Sequence, residues 1–558
     1  MKTDMNELIA DLRAGANLEA RAADLSAIPD QERSTWMPSL LELLERVDAA
    51  DRRIGFFALQ HCWSAIAREA VIRHLGSDDP GSRRMAAIVL EHGEGRAFLA
   101  QAASRWLDDP EPARAGEALA LVDSMYPDVE RLRRAVEQPA LRPYLRCNLS
   151  RYGDPSLAAA MLACLNDGDT EVARAGLAAL IQQIDPPSAV RACCRELLRH
   201  PRPEARELAA EYFCWHGGGD DCAALQAALP AETDRHAAAG LESSLRAIKR
   251  RSTATVQRQA LRRHLLATQR FEPRWCYQGR SPGTDFLRGR QARFDLLAAY
   301  YGLPHRSVQA TRRDAGANVP HLYSAPLVAP IRQYPGAPDD SFGVDTDKAN
   351  RTYTELVHVG EDVGWDGEAQ TVVAIADGLI REIGWIESWG NIAVVEHHLA
   401  GIASDKLRRQ LGLFAPTVRE SIHLADGSFL CCSVYAHLGP GIWRLPGAFI
   451  EAGEKIGVIG RPYMWENGGY RAHLHFATHL GPYWQTPRTG ARIDLRFEGR
   501  RYEGIVRKAD RRQIAATIEV GGRTKEVVRN THWLCGYVSP GHFESGTHGW
   551  FNPRLLFS

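Results

Sequence analysis

Three short segments in the C-terminal half hold residue types that can bind a metal and move protons. The first is Val357-His358-Val359-Gly360-Glu361-Asp362, with His358 and Asp362 four apart. On a helix that spacing would put both on one face. Gly360 and the following Val363-Gly364-Trp365-Asp366-Gly367 instead predict a strand end running into a loop. The second segment is Ser433-Val434-Tyr435-Ala436-His437-Leu438, and the third is Arg471-Ala472-His473-Leu474-His475-Phe476. On a strand, His473 and His475 share one face, with Leu474 and Phe476 on the other. Two imidazoles on one face can set a metal ligand beside a catalytic group. Either motif alone is equally that of an ordinary solvated strand, and His437 alone reads as a plain strand histidine.

Two further stretches would position these groups. Val372-Val373-Ala374-Ile375-Ala376-Asp377-Gly378-Leu379-Ile380 predicts two strands about a tight Asp-Gly turn. Trp389-Gly390-Asn391-Ile392-Ala393-Val394-Val395-Glu396-His397-His398 predicts another strand with a polar end.

In this order the segments resemble the lysostaphin-type zinc metallopeptidases, peptidase family M23. His358, Gly360 and Asp362 match the family's HxGxD motif. Tyr435-Ala436-His437-Leu438 matches its YxHL motif, and His473-Leu474-His475-Phe476 its HLHF motif. Gly453-Glu454-Lys455-Ile456-Gly457 and Gly460 are similar to its Gly-rich turn, and Asn552-Pro553 more loosely to its final strand end. The resemblance covers about residues 321–485. Residues 399–428, helical near Asp405–Leu413, and strand-rich residues 490–535 are insertions relative to a minimal domain of this type.

The resemblance implies a catalytic zinc held by His358, Asp362 and His475. Two imidazoles and one carboxylate suit Zn²⁺, with a fourth position left for water. Such a centre polarises a scissile carbonyl and lowers the pKa of water from 15.7 to about 7. No HExxH motif occurs, so no zincin-type glutamate base is at hand. The implied proton-transfer residues are His437 and His473, one as base and the other as oxyanion partner or acid. His397 is a candidate for supporting a ligand from behind. The implied activity is endopeptidase cleavage, with peptidoglycan stems or cross-bridges as the family's usual substrate.

The N-terminal half has a different texture. Breaks recur at Asp78-Asp79-Pro80, Asp108-Asp109-Pro110, Gln138-Pro139, Asn166-Asp167-Gly168 and His200-Pro201. They lie roughly 30 residues apart, inside the period range of solenoids. Ala-rich stretches at helical spacing lie between them, such as Ala86, Ala87, Val89 and Leu90. Asp or Asn at a break can cap the next helix, and Pro fits its first turn. The pattern resembles HEAT-like repeats over about residues 30–250, which implies a curved surface for a protein partner. The alternative is a helical domain that only supports its neighbour.

Composition agrees with this division. Of 48 glycines, 14 lie in residues 1–250 and 34 in residues 251–558. The expected fold class is therefore multidomain α+β: an N-terminal HEAT-like α-solenoid (1–250), a basic, Pro/Gly-rich connector (251–320), and an all-β M23 domain with insertions (321–558). Lys+Arg and Asp+Glu are both 68, which argues against bulk attraction to polyanions. The arginines of residues 246–270 lack interleaved aromatics and read as a solvated helix face, so nucleic acid is not the expected partner. No stretch reaches the ~18–20 apolar residues of a membrane span. Eleven cysteines without a CxxC pair predict reduced, mostly buried thiols. The start of the chain lacks a secretory pattern, so a cytoplasmic location, or export by a non-classical route, is expected. That conflicts with a wall substrate. It keeps two other functions in view: a regulated intracellular protease acting on protein, and a scaffold with a non-catalytic M23 domain.

Overall fold

The computed structural model describes residues 25–252, 327–334, 357–399, 429–439, 447–480, 489–530, 537–538 and 550–557, apart from a few positions inside these ranges, and the isolated residues 9–10, 342 and 483. The insertion expected at 399–428, apart from Leu399, most of the 251–320 connector and the basic strip beyond Ser252 lie outside the described residues.

Described helices run from Asp30–Glu45 to Arg235–Ser252, and antiparallel strands follow. The chain is thus a helical part joined to an antiparallel β part. Asp79 caps the Pro80–Glu94 helix through Gly81 N and Ser82 N, and Asp169 caps Thr170–Ile181 through Glu171 N and Val172 N. The expected cap fails at the Asp108-Asp109-Pro110 break, while the His200-Pro201 break offers no Asp or Asn to cap with. Glu111 and Arg202 precede the helices at Pro112 and Pro203 and make no side-chain cap. There Pro sets the first turn and no cap is needed to start it.

Every second helix packs against the next: Ala49–His61, Pro80–Glu94, Pro112–Met125, Arg142–Leu149, Thr170–Ile181, Pro203–His216 and Arg235–Ser252. Small residues permit this close approach; a side chain at Gly116 would meet the Tyr144 ring, and one at Gly176 would meet Cys164. Leu119, Val122, Leu145, Leu177, Leu180 and Phe213 fill the seam and are buried.

The strands are β1 (Val357–His358), β2 (Glu361–Val363), β3 (Thr371–Val373), β4 (Gly378–Ile386), β5 (Gly390–Leu399), β6 (Phe429–Leu438), β7 (Phe449–Ile450), β8 (Lys455–Val458), β9 (Leu474–Leu480), β10 (Arg492–Phe497), β11 (Arg500–Ala509), β12 (Gln513–Val520), β13 (Arg523–Asn530), β14 (Tyr537–Val538) and β15 (Trp550–Phe551). The main sheet has seven strands in the order β15-β9-β6-β5-β4-β7, with β2 also on β9. Alternation along its strands splits two apolar faces. Ala393, Val395, Tyr435 and Phe476 belong to the core that continues into the helices. Ile392, Val394, Val434, Ala436 and Ala477 face the other way, beside Val359 and Trp550.

One sequence expectation changes. The stretch 372–380 does hold two strands, but they are not a hairpin. β3 pairs with β8, while β4 pairs with β5 and β7. Ala374 N donates to Glu454 O and Gly453 N to Ala374 O, so the chain crosses between sheets at 374–377. Within 490–535, expected to be strand-rich, the described strands β10, β11, β12 and β13 form a separate four-stranded sheet.

The helical and β parts share a polar seam. Arg146 reaches Glu368, Lys455 reaches Glu211, and Arg246 and Arg250 both pair with Glu451. Arg332 enters a group of Glu204, Glu207 and Asp234. The start of the basic strip is therefore not a solvated face. Arg251 is itself buried and donates to Phe213 O, Cys214 O and Gly217 O, closing the end of the Pro203–His216 helix.

Among the described residues Cys62, Cys164, Cys193, Cys194, Cys214, Cys222, Cys431 and Cys432 are in no disulfide. Cys62, Cys164, Cys194, Cys214, Cys431 and Cys432 are buried. No described helix is long and apolar enough to cross a membrane.

Candidate metal centre

Strand register brings the polar residues together. Asp362 on β2 lies opposite His475 on β9, and His475 lies opposite Ala436 on β6. His358 ends β1, one short turn before β2. The atoms His358 Nε2, Asp362 Oδ1 and His475 Nδ1 converge. His475 Nδ1 is 2.9 Å from Asp362 Oδ1, His358 Nε2 is 3.4 Å from it, and the two nitrogens are 3.1 Å apart. Ligand atoms about 2.0–2.1 Å from a tetrahedral zinc lie ~3.3 Å from one another. The trio therefore has both the donor chemistry and the spacing of a metal site, and this buried group can hold a metal ion.

Gly360 owes its place to His475. A Cβ at Gly360 would lie 2.6 Å from both Cε1 and Nε2 of that imidazole. Backbone without a side chain is what lets the ring fit beneath the β1–β2 turn.

His437 reaches the site by a departure from strand alternation. Regular alternation would set it on the Tyr435 face, away from His475. Between Tyr435 and Leu438, β6 has one residue more than β5 has between Ala393 and Asn391, so a bulge falls at Ala436–His437. His437 takes φ +59°, the left-handed region that non-glycine residues seldom adopt. Its backbone is pinned on both sides: His437 N donates to Trp389 O, and Gly460 N donates to His437 O, each at 2.9 Å. The bulge turns the imidazole towards His473, ring centroids 4.4 Å apart.

Hydrogen bonds set the tautomers. His437 Nδ1 donates to Asn467 O at 2.8 Å, and His473 Nδ1 donates to Arg471 O at 2.6 Å. A carbonyl only accepts, so Nδ1 carries the proton in both rings and Nε2 is left as the basic atom. His473 Nε2 is 3.6 Å from Asp362 Oδ1. Trp365 stacks on His473 at 4.4 Å, and Trp389 stands edge-on to His475 at 5.0 Å. Sequence reading passed over both tryptophans; the signal was their nearness to Asp362 and Gly390.

Burial pushes His437 well below the usual imidazole range, and His473 and His475 add to the effect. Burial likewise lowers His475. Burial alone would raise Asp362, but His358 and His473, with hydrogen bonds from His358 and His475, hold it well below the usual carboxylate range. A neutral imidazole at His475 and an ionised carboxylate at Asp362 are forms a divalent cation needs.

His397 lies on the opposite face of the sheet. Its Nδ1 donates to Asp377 O at 2.9 Å, and its Nε2 is 2.7 Å from Ser433 Oγ. Ser433 Oγ is in turn 3.1 Å from the Tyr435 hydroxyl, which accepts from Ile375 N. These bonds tie β4, β5 and β6 together and include no member of the trio.

No protein-family model matches the chain, and no curated protein matches it. Among solved structures, one engineered protein is 16% identical, covering 48% of this chain and 95% of its own, with a TM-score of 0.22. A second engineered protein is 17% identical, covering 38% of this chain and 95% of its own, with a TM-score of 0.18. Likenesses this slight bear on neither fold nor function.

Proposed function

We propose that the chain is a zinc-dependent endopeptidase of the lysostaphin type, preceded by a HEAT-like helical solenoid. One observation carries the reading: the trio His358, Asp362 and His475 converges within reach of two further buried histidines with basic Nε2 atoms. A three-ligand set leaves a position open, which separates catalytic from structural zinc sites. When bound there, zinc would polarise a carbonyl and acidify a water.

The chain's own residues supply the proton traffic. His437 is neutral at physiological pH because it is buried, so its Nε2 can accept a proton. His473 is held by Arg471 O and by the stacked Trp365, which orients its Nε2; once protonated there, it can donate to an oxyanion or to a leaving amine. Buried surroundings strengthen both interactions by excluding water. Peptides of bacterial cell wall are the proposed substrate class, following the motif resemblance. Protein partners of the helical solenoid would use faces not already packed against the β part.

The test is metal content together with cleavage. The full chain is expected to bind one zinc and to cleave peptidoglycan peptides, with loss of cleavage on chelation. His437→Ala should lower kcat by about 10²–10⁴ with zinc retained. Zinc-loaded protein that cleaves neither wall peptides nor protein substrates would remove the enzyme reading and leave the scaffold one.

A further inference from the structure

We propose that Glu117 and Arg461 are positioning residues for His437, so that the helical part holds one wall of the metal centre. The inference rests on the reading of His437 as a proton-transfer group.

His437 is gripped by one loop at two points. Gly460 N donates to its carbonyl, and Asn467 O accepts from its Nδ1. The Asn467 side-chain amide donates back to Gly460 O at 3.3 Å and Arg461 O at 3.1 Å. Residues 460–467 thus form a closed turn with both ends on His437. Behind it, Gly390 takes φ +64°, and a Cβ there would lie 2.1 Å from Glu466 O. The turn sits directly on the start of β5, and its only regular structure is a short 3₁₀ turn at Trp465–Asn467.

The other side of this loop is held by helices. The Arg461 guanidinium donates to Tyr144 O at 2.7 Å and to the Glu117 carboxylate. Glu117 is also 3.0 Å from Arg83, so one carboxylate joins two guanidinium groups from different parts of the fold. The Arg461 and Glu117 side chains are only 13% and 20% exposed, where a charge-assisted bond is little screened. Arg84, next to Arg83, lies over Gly469, where a Cβ would meet its guanidinium. The path runs Arg83–Glu117–Arg461–Asn467–His437, each step an ion pair or a hydrogen bond. It ends on a residue whose left-handed backbone is costly without outside support.

Plain adhesion between the two parts is the competing account, and Glu451 separates them. It also joins the parts, through Arg246 and Arg250, but contacts none of residues 460–470 in the described hydrogen bonds and ion pairs. Hydrogen exchange by mass spectrometry, on the zinc-loaded full chain, is compared for wild type, Glu117→Gln, Arg461→Ala and Glu451→Gln. In Glu117→Gln, amides of 460–470 should exchange about tenfold faster and kcat should fall about tenfold, with KM and zinc content unchanged. Glu451→Gln should change neither. Unchanged exchange at 460–470 in both Glu117→Gln and Arg461→Ala, or equal acceleration in Glu451→Gln, overturns the proposal. If wild type cleaves no peptide, the enzymatic reading fails, while the exchange pattern still decides the bracing.

Discussion

At the scale of single residues, the metal centre depends on what is absent as much as on what is present. Gly360 carries no side chain because His475 fills the space. In Gly360→Ala the imidazole must tilt away, and zinc affinity should fall about 10–100-fold in a competition titration, the size expected for disturbing a ligand's support. Asp362 is ionised at all ordinary pH because its histidine neighbours outweigh burial. Zinc at about a hundred times its Kd should add about 2.7 kcal/mol to the unfolding free energy. That gain should vanish in Asp362→Asn and persist in His437→Ala, read as the melting shift on chelation. A gain of the same size in Asp362→Asn would place the zinc elsewhere.

At the scale of elements, alternation along strands decides which histidines can meet. His475 and His397 lie on opposite faces of one sheet, and only a bulge brings His437 to the first of them. His397 is fully buried, and burial lowers its pKa to about 4 from 6.5. The unfolded chain therefore binds a proton that the folded chain refuses. The stability involved is complete above pH 6.5 and is lost as pH falls towards 4, by up to ~3 kcal/mol. His397→Gln should flatten this part of the stability–pH curve while leaving zinc affinity unchanged, measured by denaturant unfolding across that window. The motif order made the trio and His437 legible as a set, because each motif is short and local. The face on which His397 falls was not legible, since nothing in its neighbourhood reports the sheet's two cores.

At the scale of the whole molecule, the helices serve the β part directly. Arg332 sits among Glu204, Glu207 and Asp234, and Glu207 is largely buried. Burial raises the Glu207 pKa, while the Arg332 charge opposes the rise. Arg332→Ala leaves that acidic group without its guanidinium and should cost about 3 kcal/mol of stability, seen in thermal or denaturant melting. Both parts should still unfold together, because one apolar core runs through them. Separate transitions in the variant would show that the seam, rather than the shared core, couples the two parts.

The sequence by itself determined the helical and strand-rich halves and the candidate ligands. Helical period, capping residues and short motifs are local, and each is written within a few dozen residues. Tertiary structure alone decided the rest. It separated β3 from β4, set β10–β13 apart as their own sheet, turned His437 at the bulge, and tied helix residues such as Arg146, Glu211, Arg246 and Glu117 to the β part. Those outcomes depend on which distant backbone groups complete each other's hydrogen bonds. Gly460 meeting His437, and Glu117 meeting Arg461 across 344 residues, are not legible in any single stretch of chain.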